Sequence, residues 1–189
     1  MAIDIDRVER AVRELLIGIG QDPDREGLLE TPTRVSQMYL EIAGGTKEEA
    51  VDVLRTQFEE DHQEMVIVRD VPFYSICEHH LLPFFGIAHV GYLPKGKVVG
   101  ISKLARAIDI LARRPQVQER LTSQIAEVVM EAMNPGGVGV VMRAEHLCMA
   151  MRGIRKPGTS VVTSATRGEF RDGPATRTEF LSLLQDGVR

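Results

Sequence analysis

Both cysteines and three of the five histidines in the chain fall within two short stretches, Cys77-Glu78-His79-His80 and His146-Leu147-Cys148. Thiolate and imidazole are the ligands zinc prefers, and a Cys-x-x-His spacing lets Cys77 and His80 converge on one ion from a single tight or helical turn. Cys148 can close the set. Residues two apart on a strand leave the same face, so an extended segment from His146 to Cys148 would direct both side chains at one site. A Cys2His set with an open fourth position is a catalytic pattern, in which a bound water becomes nucleophilic near neutral pH. The two remaining histidines suit general acid and base work, because imidazole titrates near the working pH. A structural zinc with His79 or His146 as fourth ligand fits the same residues. Either stretch alone also reads as a small buried thiol beside an ordinary polar histidine; the combination points to metal.

Two further stretches carry charge where chemistry can use it. Ser102-Lys103-Leu104-Ala105-Arg106 puts two cations in the first turns of an expected helix, where the helix dipole disfavours them unless an anion joins them. Free backbone N–H groups at such a helix start add donors for phosphate. A solvated basic face is the plain alternative. Arg152, just after Cys148, is a second candidate clamp, and Arg34 a third with a weaker case of its own. Gln118-Glu119 opens another expected helix, where a carboxylate is favoured in any case. In a binding role Glu119 would accept from paired donors such as the N1–H and 2-amino edge of guanine.

The elements that must position these residues can be read from periodicity and punctuation. Val8, Ala11, Val12, Leu15 and Leu16 stripe an amphipathic helix that Gly18 and Gly20 stop. Thr31-Pro32 reads as an N-cap with proline at the first helical position, followed by Val35, Met38, Tyr39 and Ile42. Thr46-Lys47-Glu48-Glu49 is a capping box opening a short third helix toward Leu54. Met65 to Val68 fits a strand, and Phe84 to Leu93 a second, joined through Pro94-Lys95-Gly96-Lys97 to Val98-Val99 as an antiparallel hairpin. Ser102 is expected to cap a helix through Leu111, and Pro115 to restart one through Ala132. Val138 to Met142 and Thr159 to Thr166 read as strands, and Ala175 to Leu184 as a closing helix. The pattern is α+β with a mostly antiparallel sheet of about four strands, whose open edges must be covered, closed or paired. The division expected is a helical region over residues 1–60 followed by a catalytic domain over 61–189.

A chain of 189 residues, 43% hydrophobic and 26% charged, has the composition of an ordinary soluble domain with a real core. A net charge of -4 argues against a general nucleic-acid or membrane-surface binder and leaves room for a local phosphate site. Two cysteines and a charged beginning, Met1-Ala2-Ile3-Asp4, read as reduced thiols in a cytoplasmic protein without a leader.

Taken together, Cys77-Glu78-His79-His80, Ser102-Lys103-Leu104-Ala105-Arg106, Gln118-Glu119-Arg120-Leu121, His146-Leu147-Cys148 and Thr163-Ser164-Ala165 resemble GTP cyclohydrolase I in order and separation. Thr31-Pro32-Thr33-Arg34 resembles that family's N-terminal helix motif. The resemblance covers nearly the whole chain. It implies the tunnelling fold (T-fold), with N-terminal helices, an antiparallel sheet, two inserted helices and subunits sharing an oligomeric barrel in a homodecamer. It makes Cys77, His80 and Cys148 the zinc ligands, and His79, His146 and Ser102 catalytic, the histidines by proton transfer. It places Ser102, Lys103, Arg106 and Arg152 at the triphosphate and ribose, maps Glu119 to guanine recognition with Gln118 as a further substrate-binding residue, and brings Arg34 from a neighbouring subunit. The implied reaction hydrates C8 of GTP, opens the ring, releases formate and closes a pterin, 7,8-dihydroneopterin triphosphate. The long N-terminal extension of some animal members is missing, so no feedback partner is expected. Three other readings compete. A nucleobase deaminase would need a Cys-x-x-Cys that the chain lacks. A reductase relative would need a cysteine nucleophile, and a catalytically silent zinc-stabilised binding protein would need only the metal.

Overall fold

The computed structural model describes residues 3–185, so Met1 and Ala2, at the start of the stretch read as leaderless, lie outside it. Contacts divide the chain into two compact units, Met1–Gly44 and Gly45–Arg189. The third helix belongs to the second unit, where it packs against two of that unit's helices.

The first unit holds α1 (Ile5–Gly18) and α2 (Thr31–Ile42), packed on each other. Asp4 caps α1 by accepting from Arg7 N at 3.0 Å, satisfying one of the orphan donors of its first turn. Thr31 is not the cap of α2. Glu30 holds that position without a side-chain bond, and Pro32 sits in the first turn, where a missing N–H removes no helical bond. Ser36, fully buried, donates to Glu9 across the pair at 3.1 Å. Arg34 is exposed on α2.

The second unit begins with α3 (Lys47–Leu54), and its capping box forms as expected: Thr46 and Glu49 each accept the other's backbone N–H at 3.2 Å. There follow β1 (Gln57–Glu59), β2 (Val66–Cys77), β3 (Pro83–Leu93), β4 (Lys97–Val99), α4 (Ile101–Ala112), β5 (Pro115–Gln116), α5 (Gln118–Met133), β6 (Gly137–His146), α6 (Leu147–Ala150), β7 (Ser160–Gly168), α7 (Glu169–Asp172) and α8 (Pro174–Gln185). Five strands form one sheet in the order β5-β2-β3-β6-β7, antiparallel except for the short parallel β2–β5 pair. The architecture is α+β, with one strand more in the main sheet than the sequence suggested.

Several local expectations change. The hairpin between Phe84–Leu93 and Val98–Val99 does not form, because β3 spends both edges on β2 and β6; β4 pairs instead with the unforeseen β1. The hairpin partner of β3 is β2, which runs on past Val68 through a bulge where Asp70 takes φ 56°. Pro115 opens β5, and α5 starts at Gln118. Gly100, not Ser102, holds the N-cap position of α4, leaving Ser102 within the first turn.

Burial alternates along the central strands with the period of the pleat. Val71, Phe73, Ser75 and Cys77 of β2, Phe84, Ala88, Val90 and Tyr92 of β3, and Val138, Val140, Met142 and Ala144 of β6 are buried. Registers Ser75↔Phe84, Phe73↔Gly86 and Ala144↔Gly86 put these residues on one face, which belongs to the same core as Leu54, Leu104, Ile108, Leu111, Leu121 and Ile125 of α3, α4 and α5. Two glycines make the other face usable. Gly91 and Gly139 stand opposite each other on β3 and β6, and the rings of Phe170 and Phe180 occupy the space their side chains would fill.

Candidate metal centre

The β2–β3 hairpin tip carries the first half of the centre. Cys77 ends β2, its N–H bonds to Leu82 O at 2.8 Å, and its carbonyl accepts from Leu81 N at 2.8 Å. Leu81 closes the turn in a left-handed conformation, φ 53°. The Cys-x-x-His spacing is thus a tight turn, with Cys77 buried and His79 and His80 exposed at the tip. Cys77 Sγ lies 3.9 Å from Nδ1 of both His79 and His80.

The second half arrives through β6. His146 pairs with Phe84 on the face that Cys77 shares, and α6 then curls the chain back so that Cys148 reaches the same point from a helical turn. The extended geometry expected of His146 to Cys148 therefore does not hold, yet the convergence does. Donor atoms of Cys77, His80 and Cys148 all lie within 4.8 Å of one another. Burial first, and the hydrogen bond to Cys77 second, push the Cys148 thiol above its ordinary pKa; a cation among these donors would act against both effects. Two thiols and an imidazole form a soft donor set that suits zinc and does not suit calcium or magnesium.

His146 stands beside this cluster in a restrained setting. Its ring lies parallel to Phe84, 4° off plane with centroids 4.6 Å apart, and its Nε2 is 2.8 Å from Gln118 Oε1. Burial pushes the imidazolium below its ordinary pKa, while the nearby Glu119 charge pulls the other way. Glu119 itself is exposed in the first turn of α5. Arg152 Nη1 reaches His80 Nε2 at 2.7 Å, so the arginine expected near the phosphates is in contact with the cluster.

Ser102 and Arg106 line a cleft along α4 together with Asp109, Ile110 and Arg113. Lys103 is half-buried on the same helix. Arg34 lies in the other unit. Other residues at the site had no role in the sequence reading. Arg120 grips Glu78 with both guanidinium arms, one at 2.9 Å, tying the hairpin tip to the start of α5 and holding the Glu78 carboxyl below the usual carboxylate range. Phe84, Thr122 and Thr163 support His146 or Gln118. Only the i, i+4 spacing of Gln118 and Thr122 signalled that they share a helix face.

A sequence model described as GTP cyclohydrolase I matches residues 8–185. The protein named GTP cyclohydrolase 1 of Thermoanaerobacter pseudethanolicus is 60% identical over 183 residues, 96% of this chain and 97% of its own. Its namesake from Acetivibrio thermocellus is 60% identical over 96% of this chain and 98% of its own, and that of Thermobifida fusca 58% identical over 96% and 89%. With the family match running from within α1 to the end of α8 and the sulfur and imidazole donors converging as described, the chain belongs to the GTP cyclohydrolase I family and is an enzyme of it.

Proposed function

We propose that the protein is a zinc-dependent GTP cyclohydrolase I, converting GTP and water to 7,8-dihydroneopterin triphosphate and formate, the first step of tetrahydrofolate and pterin biosynthesis. The observation that carries this reading is the convergence of Cys77, His80 and Cys148 in a chain of this family. Three protein donors, two of them thiols, are the complement of a catalytic rather than a closed structural site. Zinc held there supplies Lewis acidity that makes water nucleophilic near neutral pH.

The chain's own residues do the rest. His79 and His146 move protons to and from the purine and ribose as C8 is hydrated and leaves as formate. Glu119 accepts from guanine N1–H and the 2-amino group. Ser102, Lys103, Arg106 and Arg152 orient the ribose and neutralise the triphosphate, which supplies much of the binding and fixes the reacting atoms.

The outer edge of β7 has no strand beside it among the described residues, and Val162 on it is exposed. Such an edge calls for a partner. It supports assembly of the tunnelling-fold subunits into a barrel, a homodecamer in which Arg34 completes a neighbour's site. No helix among the described residues is long and apolar enough to cross a membrane, and the reading places the enzyme in the cytoplasm. The test is direct: GTP added to the zinc-loaded protein should release formate and generate pterin fluorescence. A zinc-loaded protein that does neither would leave only the silent binding role.

A further inference from the structure

We propose that Gln118 is a positioning residue for His146 and not a guanine contact: its amide fixes the His146 imidazole as the Nε2–H tautomer and leaves Nδ1 without a hydrogen in the neutral ring. This deepens the reading of His146 as a proton-transfer group and rests on it. Gln118 is 1% exposed, and every polar atom of its side chain is engaged within the protein. Nε2 faces Met142 O at 3.3 Å, Val161 O at 3.0 Å and Thr163 Oγ1 at 3.1 Å. Backbone carbonyls only accept, so the NH2 end must point at them; the flipped amide would bury a carbonyl oxygen against two others. Oε1 therefore faces His146 Nε2, and since Oε1 also only accepts, Nε2 must carry the hydrogen.

Two threonines lock this orientation. Thr122 Oγ1 donates to Gln118 O at 2.7 Å, so in its 2.6 Å contact with Thr163 the hydrogen comes from Thr163. Thr163 Oγ1 then has lone pairs left for Gln118 Nε2–H. The bonds run in one direction around a closed loop, from the Gln118 amide to Thr163, to Thr122, and back to the Gln118 backbone. Phe84, stacked on the imidazole, holds the ring plane while the amide holds its tautomer. Thr163, in a stretch that carried no role in the reading, thereby acts on the reaction from two residues away.

The test uses zinc-loaded, assembled protein labelled with 15N-histidine and studied by solid-state NMR at a pH where the imidazole is neutral. The His146 signals are those missing from His146→Gln. The native protein should show a protonated Nε2 and a bare Nδ1. Gln118→Met, of similar volume, should release the tautomer and lower kcat roughly tenfold to a hundredfold, with KM for GTP within about twofold, since positioning is lost and binding is not. Thr163→Val should act in the same direction but more weakly, and it carries the test if Gln118→Met does not assemble. A protonated Nδ1 in the native protein, or a raised KM with unchanged kcat in Gln118→Met, would overturn the proposal. Full turnover in His146→Gln alongside the expected native spectrum would instead overturn the proton-transfer role of His146, leaving the hydrogen-bond assignment standing.

Discussion

Replacing Phe84 by leucine separates what the ring does for the fold from what it does for the site. Phe84 is fully buried between two rings, Phe73 edge-on at 6.0 Å and 75°, and His146 face-on at 4.6 Å and 4°. Leucine keeps most of the apolar burial but loses both ring pairs, each worth about 0.5–1.5 kcal/mol beyond area, so the change should cost about 1–3 kcal/mol. For a chain of this length each kcal/mol lowers Tm by roughly 2–4 °C, which gives a drop of about 2–12 °C. Thermal unfolding of native and variant protein at one scan rate, protein concentration and zinc concentration measures it, because assembly and metal both raise apparent stability. His146 would keep its Gln118 bond but lose its stacking partner, so kcat should fall several-fold, roughly within the scale of acid–base contributions, with KM little changed. A variant that melts with the native protein and turns over at the native rate would refute the role given to the stack.

Four other outcomes are expected. Cys148→Ser should lose zinc and activity together, and elemental analysis finding a fully loaded, active variant would remove Cys148 from the ligand set. Glu119→Ala should lose most activity toward GTP and narrow the native order GTP, ITP, ATP in kcat/KM, in which ATP is rejected by about 10⁴ or more because it offers the carboxylate neither donor; formate release with all three nucleotides decides it. Mixing inactive Arg34→Ala and Cys148→Ser chains should restore part of the activity if sites are shared, and a fully active monomer in sedimentation would end that idea. Gly139→Ala would place a methyl group 2.5 Å from Phe170 and 2.9 Å from Phe180, and should destabilise by about 1–3 kcal/mol in chemical denaturation.

The convergence of Cys77, His80 and Cys148 was legible because their types are rare in this chain and cluster, and such a signal does not depend on knowing the fold. The capping box at Thr46 and the long apolar helices were legible because their bonds are local. What escaped was set by partners distant in sequence. Gln57–Glu59 is only three residues long, with Phe58 between two polar residues, and it is a strand only because β4 lies beside it. Arg69-Asp70-Val71-Pro72 reads as a break, yet β3 carries β2 straight through it with a bulge. The α6 turn at Leu147 was missed because two-residue spacing fits a strand as readily as the start of a helical turn. Gln118 drew attention as a substrate contact because its partners, Met142, Val161 and Thr163, lie on two strands much later in the chain.

The two halves of the donor set depend on strand pairings of very different sequence range. Cys77 and His80 sit on a local hairpin, an element that closes in microseconds, whereas Cys148 reaches them only after β6 has docked on β3 across the whole α4–α5 segment. A slip of β6 by one residue would turn His146 to the opposite face and carry Cys148 out of reach. Full affinity for a metal at these donors would therefore be available only to the chain in its correct register, and metal uptake would report on the β3–β6 pairing, the longest-range strand pairing among the described residues.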